Sequence, residues 1–202
     1  MSPEGVALGY EPQAGRGEGR VWIRLGGSHR AGGLSYSQAK RLVSAVLEVR
    51  PEPEGKLVLL GVDVEGLRPA GRLALQDRIG FLPADGGLIS NLNAWENIVL
   101  PIGFHHPERM RAVAAQVNEV LRDLGADPHV LLDKLPEKMS LYEKKLTAYV
   151  RIMLERPDLI VAEEPQSGLD ARERAAVERF PAIYLKSCPG GTFVQLEVAP
   201  ER

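Results

Sequence analysis

The apolar run Leu159-Ile160-Val161-Ala162 is bounded by Asp158 and closed by two consecutive acids, Glu163-Glu164. A short run with no polar alternation is what a strand buried on both faces needs, so the chain must supply helices to cover a parallel sheet. Other segments fit that demand. Lys56 to Asp63 reads as a buried strand closed by a turn, and Arg78 to Leu82 as another. Thr192 to Val198 alternates enough to predict a half-exposed last strand. Helical spacing covers Gln38 to Val49, where Pro51 and Pro53 stop it, and Arg109 to Leu124, which Gly125 caps. Ser140 to Arg156 predicts a long helix and Ala171 to Phe180 a short charged one.

Val21 to Leu25 is a further strand candidate, and Gly26-Gly27 and Gly32-Gly33 read as the loop between it and the first helix. Residues 1 to 20, rich in Gly, Arg and Glu between 15 and 20, read as a weakly ordered start with at most a short strand near Val6 to Leu8. Strands alternating with helices predict an α/β fold with a mainly parallel sheet, and the helical block 91–157 reads as an inserted subdomain. Residues 1–90 and 158–202 would then form the core.

Composition narrows function. The 25 Lys+Arg against 27 Asp+Glu leave a net charge of −2, no excess with which to neutralise phosphates, so nucleic-acid partners are not expected. The single cysteine, Cys188, excludes an internal disulfide framework and a cysteine-based zinc cluster. No apolar run approaches the roughly 20 residues of a membrane span, and Met1 to Gly5 lacks the start of a secretory signal. A cytoplasmic setting is expected. His105-His106 has no acids or cysteines at ligand spacing.

The acid pair, followed by Pro165-Gln166-Ser167-Gly168-Leu169-Asp170, resembles the Walker B strand and D-loop of ABC-transporter ATPases. The resemblance continues upstream in the right order, over roughly residues 21 to 198. Ile79 to Leu92 with Glu96-Asn97-Ile98 is similar to the Q-loop region, and Leu135 to Glu143 lies at the signature motif. The wording of 86–100 is most like ATPases of bacterial lipid-trafficking systems. The resemblance implies a RecA-like P-loop NTPase core with an inserted α-helical subdomain. It also implies a site in which Glu163 holds magnesium, Glu164 polarises the attacking water, and Asp170 and Ser140 serve across a dimer interface.

The departures are as informative. A P-loop needs Gly-x-x-x-x-Gly-Lys-Ser/Thr: glycines for backbone approach to phosphate, Lys for charge, a hydroxyl for magnesium. The matching positions are Gly32, Ser37, Gln38 and Ala39, so three of four are changed. Lys40 falls two residues late, which on a helix rotates it by about 200°. Ala84 stands at the Q-loop glutamine. The signature reads Met139-Ser140-Leu141-Tyr142-Glu143, and no histidine follows residue 129 to act as the switch. Each lost charged contact is worth about 1.5–3 kcal/mol, and the water-ordering groups several more.

The implied function is a degenerate nucleotide-binding subunit with little or no ATP hydrolysis, in which Mg-ATP is bound weakly or not at all. It would dock on an integral membrane permease at the inner face of the cell membrane, with lipid as the implied cargo. It would pair with itself or with an intact ABC ATPase. Two alternatives stand beside it. One is an active ATPase with an atypical site, using Arg24 or Arg30 and Glu164. The other is a non-catalytic scaffold module that keeps the fold. Two segments also fit a purely structural role. Ser140 with Glu143 is also a capping box, and Trp95 with Ile98, Val99 and Leu100 reads either as core or as a groove for a permease helix.

Overall fold

The computed structural model describes residues 4–12, 19–51, 53 and 55–199. The Gly- and Arg-rich residues 15–18 and the extreme N-terminus read above lie outside these. The chain divides into two compact units, Met1–Phe81 with Pro157–Glu164 and Cys188–Arg202, and Leu82–Arg156 with Pro165–Ser187. These bounds differ from the expected division chiefly at 165–187, which joins the helical unit.

The first unit holds two sheets. The antiparallel one has the order β2-β1-β4-β5, built from β1 (Val6–Glu11), β2 (Val21–Arg24), β4 (Lys56–Leu59) and β5 (Val62–Asp63). β1 lies between β2 and β4 with its first five residues buried, so the expected short strand at the start is a central one. Residues 56–63 form a hairpin rather than one strand, because Leu60 and Gly61 both take positive φ and turn the chain back.

The second sheet has the order β3-β8-β7-β6, from β3 (Gly27–Leu34), β6 (Ile79–Leu82), β7 (Leu159–Glu163) and β8 (Thr192–Val198). β8 pairs in parallel with both β3 and β7. It is therefore a central strand with five buried residues, and the expectation of a half-exposed strand fails: its Thr192 and Gln195 are polar yet buried. β7 is buried along its whole length, as its lack of polar alternation predicts. Helix α1 (Tyr36–Glu48) turns Ala39, Leu42, Val43 and Val46 into the core between the sheets, against Leu8, Leu57, Leu59, Val161 and Val194. Each fully buried Leu or Val contributes about 1.5–3 kcal/mol of transfer free energy. Helix α2 (Pro69–Gln76), which carries no clear sequence signal, adds only Leu75 to that core.

The second unit is helical. Helices α3 (Ala94–His105), α4 (Met110–Leu124) and α6 (Leu141–Glu155) pack together, with the short α5 (Pro128–Leu131) between α4 and α6 in sequence. α4 buries Val113, Val117, Leu121 and Leu124, the stripe visible in the sequence. After α7 (Ala171–Val177) comes α8 (Phe180–Ser187), where the sequence predicted one helix. Tyr149 of α6 stacks on Phe180 at 4.1 Å between centroids and donates to the Phe180 carbonyl.

Candidate functional site

In an α/β sheet of this kind ligands sit at the carboxyl ends of the parallel strands. In the first unit those ends are Leu34 of β3, Glu163 of β7 and Val198 of β8. The expected glycine loop is not a loop. Residues 27–34 form strand β3, and Val21–Arg24 belongs to the other sheet. Pairing runs Ala31 with Leu196, then Leu34 with Val198, so Gly32 and Gly33 together oppose Glu197 in a β-bulge. Gly33 takes φ +79 to make it. Only Ser35 then separates the end of β3 from the start of α1.

The start of α1 is closed by its own side chains. Ser35 Oγ accepts from the Gln38 backbone N–H at 3.3 Å, and Gln38 Oε1 accepts from the Ser35 N–H at 2.7 Å, completing a capping box. Gln38, at the P-loop lysine position, is therefore engaged in local structure. Ser37 is exposed, its Oγ 3.1 Å from Ser35 Oγ. Ala39, at the magnesium-hydroxyl position, is 1% exposed and packs in the core.

Across the edge, the three acids are paired internally. Glu163 is 7% exposed, and its Oε1 lies 3.1 Å from Lys40 Nζ. Lys40, two places past the P-loop lysine position, thus lies on the acid to which the resemblance gives the magnesium role. Its ammonium also sits 5.5 Å from the Tyr36 ring centroid. Glu164, in left-handed backbone at φ +44, accepts the Val198 N–H on its carboxylate, while its own N–H donates to the Leu196 carbonyl. Glu197 pairs with Arg30 at 3.1 Å across β3 and β8. Arg30, a candidate phosphate contact, thus holds an acid instead, and Glu197 Oε2 lies beside Gly32.

In the second unit Ala84 lies in the turn after β6, where the Gly86 N–H bonds the Pro83 carbonyl. The signature position is a working helix cap. Ser140 Oγ accepts from Glu143 N–H at 3.1 Å, Glu143 Oε2 accepts from Ser140 N–H at 2.9 Å, and Glu143 Oε1 is 2.6 Å from Lys134 Nζ. Asp170 caps α7 in the same way, with Glu173 as its return partner. Tyr142, where the family has glycine, borders a cleft with Leu124, Gly125, Arg172 and Arg179. Burial pushes its phenol pKa up, with Arg179 and Arg172 opposing and Glu173 reinforcing the shift.

Two buried polar groups escaped the sequence reading. Lys145, fully buried on α6, donates from Nζ to the carbonyls of Pro165 at 3.0 Å and Ser167 at 2.9 Å, tying the segment before Asp170 to the helix. Asn97, also fully buried, accepts from Ile89 N–H and donates to the carbonyls of Ile89, Leu92 and Asn93. Of the expected groove, Ile98 is core, while Trp95, Val99 and Leu100 are half-buried and Phe104 is 79% exposed. Among the described residues no group of three or more His, Cys, Asp or Glu is placed to hold a metal ion. No helix among them is long and apolar enough to cross a membrane.

No family model matches the sequence. Individual relatives do. The chain is 33% identical over 160 residues to the lipoprotein-releasing system ATP-binding protein LolD of Novosphingobium aromaticivorans, covering 78% of this chain and 68% of that protein. It is 27% identical over 157 residues to the methionine import ATP-binding protein MetN of Xanthomonas campestris pv. campestris, and 26% identical over 147 residues to the molybdate/tungstate import ATP-binding protein WtpC of Pyrococcus horikoshii. It spans 46% and 40% of the length of these two.

Among solved structures, cbiO1 from Clostridium perfringens, part of the ABC transporter complex cbiONQ, superposes with a TM-score of 0.74 at 17% identity, covering 97% of this chain and 80% of that one. The ATP-binding cassette MJ0796, in a post-hydrolysis state bound to ADP and Pi, gives a TM-score of 0.68 at 18% identity, covering 94% and 87%. The fold is that of an ABC ATPase domain. With the LolD relative, the chain belongs to the family of ABC-transporter ATP-binding proteins.

Proposed function

We propose that this chain is a degenerate nucleotide-binding subunit of an ABC transporter, one that couples to a membrane permease but hydrolyses little or no ATP itself. The observation that carries the reading is the passage of β3 into α1 with Ser35 alone between them. A P-loop surrounds phosphate with several backbone N–H groups in a loop ahead of the helix. Here that length of chain is spent as strand and bulge, and the helix start is occupied by its own cap. The residues at this edge do not fit Mg-ATP: Gln38 and Ala39 offer neither ammonium nor hydroxyl, and Glu163 and Glu164 are both turned to partners inside the chain.

The family's dimeric arrangement supports pairing with a second copy or with an intact ATPase, at the cytoplasmic face of the membrane beside a permease. The half-buried Trp95, Val99 and Leu100 with exposed Phe104 form the surface proposed to receive a permease helix. The 33% identity to a lipoprotein-releasing ATP-binding protein supports a lipid-linked cargo.

Calorimetric titration of the purified chain with Mg-ATP, alongside phosphate release, tests the reading. Heat at the level of dilution and no release are expected. Micromolar binding with turnover sinks it in favour of an atypical active ATPase.

A further inference from the structure

We propose that Lys40 supplies, from within the chain, the positive charge that a divalent metal would otherwise bring to Glu163. The proposal rests on the non-hydrolysing reading above and concerns the same carboxyl edge. Glu163 ends β7 at 7% exposure, and a carboxylate that deep needs a counter-charge. It has one at 3.1 Å, on the helix whose N-terminus faces this edge. Tyr36, one helical turn before Lys40, places its ring 5.5 Å from the same nitrogen, so the ammonium is held between a carboxylate and an aromatic face.

The chemistry of the donor set favours an ammonium over magnesium here. Magnesium demands six oxygens near octahedral geometry, usually one or two carboxylates with phosphate and water. Ala39 brings no oxygen, Glu164 is committed to the Val198 N–H, and Glu197 to Arg30. One carboxylate balances one ammonium without phosphate, whereas a divalent ion on Glu163 would sit against the Lys40 ammonium. A metal gains Glu163 only by displacing Lys40. Glu163 therefore has its counter-charge without metal or nucleotide, and a lysine two places past the P-loop position replaces the metal rather than the P-loop lysine.

The test is a double-mutant cycle on the full chain, read by thermal unfolding at low salt with and without millimolar magnesium chloride. Lys40→Met is expected to lower Tm by roughly 2–4 °C, Lys40→Arg to restore most of that loss, and Lys40→Met to cost much less when Glu163→Gln is present. Magnesium is expected to leave the Tm of the unsubstituted chain unchanged. An additive cycle overturns the proposal, as does a rise in the Tm of the unsubstituted chain with magnesium. The two readings fail separately. Hydrolysis by the unsubstituted chain removes the proposed function whatever the cycle shows, while an additive cycle in a chain that binds no Mg-ATP removes only the role of Lys40.

Discussion

At the scale of single residues, buried polar groups fix the segments around the signature and D-loop positions. Lys145 is the clearest case, since its Nζ serves two carbonyls on the path to Asp170. Lys145→Met keeps helix propensity and bulk but orphans those acceptors, at about 1–3 kcal/mol each. Urea unfolding should show a loss of that order, and a loss below half a kcal/mol would deny the clamp. Gly86 fixes the Q-loop-like segment by backbone conformation instead. It is buried at φ +88, and an added Cβ would stand 2.8 Å from the Lys144 carbonyl carbon and oxygen. Gly86→Ala should therefore cost about 1–3 kcal/mol through strain and backbone contact together, again read by urea unfolding. Neither role is legible in the sequence: Lys145 sits in a run of charged residues that reads as a solvated face, and its carbonyl partners lie 20 and 22 residues away. By contrast, Ser140 with Glu143 was legible as a cap, because a capping box is written in four consecutive residues.

At the scale of elements, β7 and the long helices followed from local pattern, since burial on two faces and amphipathic spacing each leave a direct trace. The β3–α1 junction did not. Gly32-Gly33 carries the composition of a loop, and only the register against β8 makes it a bulge opposite Glu197. β8 was misjudged for the same reason: its Thr192, Gln195 and Glu197 suggest a wet face, but pairing on both sides buries the first two. The junction sets a prediction. Restoring the family's side chains with Gln38→Lys and Ala39→Ser removes the return half of the capping box and puts a hydroxyl into the core. The double variant should lose about 0.5–1.5 kcal/mol from the lost return bond alone, measured by denaturant unfolding, and gain no nucleotide affinity, because the loop ahead of the helix is still missing. A double variant of unchanged stability that binds Mg-ATP would show that side chains, not backbone path, decide nucleotide binding here.

At the scale of the whole molecule, family and fold were legible from motif order alone: strand, Q-loop-like segment, signature position, acid pair and D-loop follow one another as in ABC ATPases, and the solved structures superpose over nearly the whole chain. What the order of motifs does not carry is the state of the site, because that depends on which side chains find one another. Glu163 finds Lys40, Glu164 the Val198 N–H, Glu197 Arg30, and Ser35 finds Gln38. Calorimetric titration of the purified chain with Mg-ATP decides whether an ABC ATPase fold is here combined with a carboxyl edge closed to Mg-ATP. No saturable heat is expected at micromolar to millimolar nucleotide. A saturable isotherm with a micromolar Kd would contradict it.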